Sequence, residues 1–119
     1  MRAGAERGAG TALVGVVIIV STVIAGVATV VGVYGAATQR ARGAADLVAL
    51  SAATTYERGL DPCQQAWRTA RENDVVLASC EVVGDALDLV VTASVEVPVG
   101  VPGLPAAVTA TSHAGWLGR

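Results

Sequence analysis

The chain has 119 residues and a formal charge of −2; its 8 basic residues are all Arg, it lacks Phe, and its aromatics are Tyr34, Tyr56, Trp67 and Trp116. This length allows one small domain, the aromatics are too few to build a core of ring clusters, and without a dense basic face a nucleic-acid partner is disfavoured. The N-terminal third is too apolar for a soluble core, so the part left to fold in water is small and calls for a staple.

No charged residue lies between Arg7 and Arg40, and residues 13–33 are rich in Val, Ile, Ala and Gly. A bilayer core needs roughly 20 apolar residues in a helix, and in hydrocarbon only helix satisfies the backbone of a single segment. The run therefore predicts a membrane-spanning helix. A cleavable secretory signal competes, with Arg2 and Arg7 as its charged start, but its apolar region is only about 7–15 residues long. Ala28, Gly32 and Ala36 recur at i, i+4, i+8, with Ala25 and Thr29 on a neighbouring stripe. That spacing lets another helix approach closely, although a segment this rich in Ala and Gly also produces it by chance. Charge does not orient the span, since Arg2 and Arg7 on one side balance Arg40 and Arg42 on the other.

Helix-forming residues continue without Pro through Ala44, Ala45, Leu47, Ala49, Leu50, Ala52 and Ala53 to Gly59, a C-cap signal. The expected object is one helix over residues 10–58, about 70 Å long at 1.5 Å per residue, half in the membrane and half projecting. Leu47 and Leu50, with Ala44 and Thr54, offer an apolar stripe for a small domain to pack on. Asp46 can pair with Arg42 at i−4 or with an Arg of a partner helix.

In "LDPCQQAWRTARENDV", Asp61 reads as an N-cap, Pro62 as N1 and Gln64 as the N3 residue of a capping box. Cys63, Ala66, Trp67 and Ala70 then share one face, with Trp67 in the core. "VVLASCEVVGDALDLVVTASVEV" reads as a hairpin. A two-residue Gly84–Asp85 turn would pair Val83 with Ala86, Val82 with Leu87, Cys80 with Leu89 and Ala78 with Val91. Its cost is Glu81 opposite Asp88. Residues 98–106 form a Pro/Gly connection, "AVTATSHAG" at residues 107–115 allows a third antiparallel strand, and a tail with Trp116 runs from Gly115 to residue 119.

Cys63 and Cys80 lie on the two apolar faces that must meet. A disulfide is the leading reading; two free core thiols, or a metal or redox pair, are the alternatives, the last weakened by the spacing and by a single His113. A disulfide implies an oxidising compartment, which places residues 59–114 outside the cytoplasm and residues 1–9 inside. No catalytic residue, metal site, cofactor or small-molecule substrate is expected, because the carboxylates fall at caps, turns and solvent faces.

The start "GAGTALVG", the long apolar helix, "QRARGAADLVALSAA" and "ERGLDPC" together resemble the TadE/TadG-like pseudopilins of tight-adherence (Flp, type IVb) pilus systems. The likeness is narrowest to the short actinobacterial TadE-like proteins encoded beside secretion ATPase genes, and it covers residues 8 to 97. It implies a pilin-like α+β fold, a single-pass inner-membrane protein, and a role in pilus initiation or assembly. The implied partners are other pilins, the Tad assembly platform and membrane lipid. Peptidase cleavage after Gly8 or Gly10 would follow the family pattern, which has Glu at the fifth mature position. Here that position holds Leu13 or Gly15.

Overall fold

A computed structural model of the chain describes residues 2–85 and 87–117, with side chains from residue 8 onward. The fold is α+β: α1 (Arg2–Glu57), α2 (Pro62–Glu72), then β1 (Val76–Gly84), β2 (Asp88–Pro98) and β3 (Ala107–Leu117). The strands form one antiparallel sheet in the order β1-β2-β3. Two compact units divide the chain, Met1–Val33 and Tyr34–Arg119. The second begins well before residue 59, because the later half of α1 supplies part of the domain's core.

In the first unit the helix carries its large apolar side chains, Leu13 and Ile19 among them, on open surface. Thr22 and Thr29 donate their hydroxyls to the carbonyls of Ile18 and Ala25, both at 2.8 Å. Those back-bonds give each hydroxyl a partner within its own helix.

In the second unit α1 ends where Gly59, at φ +75°, takes the left-handed conformation. Its N–H donates to Tyr56 O at 2.9 Å and that of Leu60 to Thr55 O at 3.2 Å, the paired bonds of a Schellman stop. Asp61 then caps α2, accepting from Cys63 N at 3.0 Å and Gln64 N at 3.4 Å, with Pro62 at N1. Gln64 is exposed, and no reciprocal side-chain bond to Asp61 is formed among the described residues.

The core joins Ala41, Ala44, Ala45, Val48, Ala49, Ala52 and Ala53 of α1 to Leu89, Val91, Ala93, Val95 and Val97 of β2. Small side chains let the sheet come close to the helix axis, so the domain packs on alanines. This corrects the expected stripe, since Leu47 is 52 % and Leu50 60 % exposed on the other side of α1. Trp67, expected in the core, is 58 % exposed, and α2 buries Ala66, Thr69 and Ala70 instead. The face that α2 turns inward is made of the small residues Ala66, Thr69 and Ala70, which leaves the bulky indole on the outside.

The hairpin register also differs from the tight-turn expectation. Val82 opposes Val91 instead of Leu87, Cys80 opposes Ala93 instead of Leu89, and Glu81 meets Thr92 instead of Asp88. Ala86, the expected partner of Val83, lies outside the described residues, and Val83 pairs with Val90. Gly84 has φ +106°, and a Cβ there would stand 1.7 Å from Asp88 O. Asp85 donates its N–H to Asp88 O at 2.9 Å while its Oδ1 accepts from Leu87 N and Asp88 N at 2.9 and 3.2 Å. The carboxylate thus closes a wider turn and leaves Leu87 exposed. The shift along β2 is an even number of residues, so it preserves the faces while separating the two acids. A bulge between Leu77 and Ser79 turns Ala78 to solvent and lets Leu77 and Cys80, an odd number apart, both face the core.

β3 completes the sheet through Leu117 and absorbs the start of the expected tail. Trp116 pairs with Leu89 and packs against the core. Gly118 and Arg119 lie outside the described residues.

Candidate functional site

Three features bear on function: the helix surface left open, the staple, and the polar ties that hold the domain to its own stretch of α1. Ala28 and Gly32 in the first unit, and Ala36 in the second, are exposed. In the second unit Gly43, Leu47, Leu50 and Thr54 are exposed as well. At 100° per residue these four lie on the side of the helix away from the alanine face. Gly8 and Gly10 lie within α1 with open space around them.

Cys63 of α2 and Cys80 of β1 form a disulfide, with Cα atoms 5.8 Å apart. It ties α2 to the edge strand β1. Beyond the staple, Ala66 and Ala70 pack in the core and the Thr69 hydroxyl meets that of Ser51 in α1 at 2.8 Å; within α2 and its cap, Gln65 donates to Thr69 Oγ1 at 3.3 Å and Asn73 Nδ2 to Thr69 O at 2.8 Å.

Arg42 and Asp46 do not pair. Both are exposed, and the Asp46 carboxylate instead accepts from the hydroxyl of Ser112, linking α1 to β3. The intrahelical pair does not form, because β3, whose existence the sequence only allows, brings the Ser112 hydroxyl to the carboxylate. Arg40 does what no local pattern signalled. Its Nη2 donates to the carbonyls of Asn73 and Asp74, both at 3.3 Å, placing a cation at the negative end of α2. Tyr34 Oη donates to Pro105 O at 2.6 Å, closing the β2–β3 connection onto α1. An aromatic ending an apolar run is a recognised interfacial signal, and it was available for Tyr34.

Among the described residues no buried side-chain polar atom lacks a partner. His113 Nδ1 meets Thr92 Oγ1 at 2.8 Å on the exposed face of the sheet. The Asp85 carboxyl is held below its ordinary value by the N–H groups of Leu87 and then Asp88.

The chain matches no family model, no curated protein and no solved structure. What the geometry offers is an α1 long and apolar enough to cross a membrane, the one such helix among the described residues. It also offers a stapled domain formed around the later part of that helix, with a second helix face left free.

Proposed function

We propose that this protein is a minor pseudopilin or assembly component of a tight-adherence (Flp, type IVb) pilus or a related secretion system. It acts by packing its helix against other pilin helices and displaying a small domain outside the cytoplasmic membrane. One observation carries the reading: a single 56-residue helix supplies both the candidate span and the alanine face on which a disulfide-stapled sheet is built. The arrangement suits a subunit that joins a helical bundle through one part of α1 and presents its domain through the other. The exposed face with Gly43, Leu47 and Leu50 is the surface for neighbouring helices. The disulfide supports a domain on the oxidising side, with the N-terminus in the cytoplasm.

A second reading, an uncleaved bitopic accessory of a secretion machine that never enters a filament, is favoured by Leu13 or Gly15 at the fifth position after the candidate cleavage points. Intact mass of the protein from sheared filaments and from membranes separates the two. Filament-associated protein lacking residues 1–8 or 1–10 supports the pseudopilin. Full-length protein confined to the membrane supports the accessory. Cysteines that alkylate without reduction overturn the orientation in both.

A further inference from the structure

The β2–β3 connection, residues 98–106, reads PVGVPGLPA, and no charged residue occurs between Glu96 and Arg119. Leu104 is 45 % exposed, and Pro102, Gly103, Pro105 and Ala106 are exposed around it. The exposed turn therefore presents apolar and small side chains with no charge to hold it in bulk water. The loop is fixed, since Val99 N–H donates to Ala106 O at 2.7 Å and Tyr34 Oη holds Pro105 O.

Tyr34 directly follows the apolar run. Residues 13–33 are about 31 Å long as a helix, close to the roughly 30 Å hydrocarbon core, so Tyr34 falls where the headgroup layer, some 5–7 Å deep on each side, begins. Arg40, about 9 Å further along α1, lies past that layer. Charge along the sheet follows the same polarity. β2 runs from Asp88 to Pro98, so its ends are roughly 34 Å apart. The far end carries the acidic Asp85–Asp88 turn and the near end carries the uncharged loop.

We infer that residues 99–106 seat in the headgroup layer of the leaflet from which α1 emerges, with Leu104 and the prolines against lipid and Tyr34 as the aromatic anchor at the same depth. The partner is the lipid interface itself. The inference rests on α1 crossing a bilayer and not on the pilus assignment, so it holds equally for an uncleaved accessory protein.

The test uses the full chain in phosphatidylcholine nanodiscs, with lipids brominated near the glycerol end or deep in the acyl chain. Single added indoles are read against the unaltered chain, which keeps Trp67 and Trp116. The added emission of Leu104→Trp should be blue-shifted and lost to shallow bromines more than to deep ones. That of Leu87→Trp, in the far turn, should be lost to neither. Pro102→Trp gives a second reading at the same loop. Should Leu104→Trp and Pro102→Trp resemble Leu87→Trp, the inference is overturned. It is equally overturned if Leu87→Trp is quenched alongside them, since the domain would then lie flat on the membrane. Ile19→Trp separates the premises: if deep bromines leave it bright, the span itself fails and the loop inference goes with it.

Discussion

Replacing both Cys63 and Cys80 by Ala should unfasten α2 far more than the rest of the domain. The cysteines are 17 residues apart, and closing a loop of that size lowers the unfolded chain's entropy by an amount worth about 3 kcal/mol at 25 °C. A domain this small has a total stability on the order of 4–12 kcal/mol. At roughly 4–8 °C per kcal/mol for a chain of this size, the melting temperature should fall by on the order of 15 °C. The loss should be uneven, because α2 buries only Ala66, Thr69 and Ala70 while β2 buries Leu89, Val91, Ala93, Val95 and Val97. Circular dichroism melts in detergent, with and without reductant, measure the first effect, and amide hydrogen exchange measures the second. Exchange in α2 should quicken well before that in β2. If the double variant melts within a few degrees of the parent, or if α2 and β2 lose protection together, the staple is not what holds α2.

Ala49→Leu should destabilise the domain by about 1–3 kcal/mol through overpacking, whereas Leu50→Ala should stay within about 0.5 kcal/mol; denaturant titration of the two variants reads both, and a reversed order would put the sheet on the leucine side. Gly84→Ala should disrupt the first hairpin, because its φ is +106° and a Cβ would stand 1.7 Å from Asp88 O; loss of the Val82–Val91 contact in nuclear Overhauser spectra reports it. Asp85 is held below its ordinary value of 3.8 by the Leu87 and then the Asp88 N–H, so its stabilising effect is complete above 3.8 and fades as pH falls through the lower folded value. Protection of those two amides should follow that course, and Asp85→Asn should abolish the pH dependence. Tyr34→Phe should cost about 0.5–1.5 kcal/mol and speed exchange in residues 99–106, with β1 unchanged.

Local chemistry made the elements legible and left their packing partners hidden. The corner at Gly59, Asp61 and Pro62 follows from backbone preferences that act within a few residues, so the sequence specifies it directly. The facing of Cys63 and Cys80 was equally accessible, because inward and outward alternation survives an even register error. Side-chain size does not measure burial in this domain. Leu47 and Leu50, the two leucines in the later half of α1, and Trp67, the one aromatic of α2, are all exposed, while the buried contacts are made mostly by alanines. The Asp85 turn hides its length for a related reason: a carboxylate that accepts two backbone N–H groups imitates the signature of a shorter hairpin. The bonds made by Arg40, Asp46 and Tyr34 join residues far apart in sequence, and no periodicity records such pairs.

The sheet order follows the chain order, so each strand docks beside its predecessor and the domain can assemble progressively from α1 onward. Such local wiring favours rapid folding, and the expensive loop closures come last. Two of them stand apart: Asp46 with Ser112, 66 residues away, and Tyr34 with Pro105, 71 residues away. Both secure β3 or the loop leading into it, which neither cysteine reaches. Losing either tie should therefore loosen this C-terminal flap first and leave the stapled α2–β1 half standing. A proteolytic nick or a transient exchange of strands between neighbouring molecules would enter there.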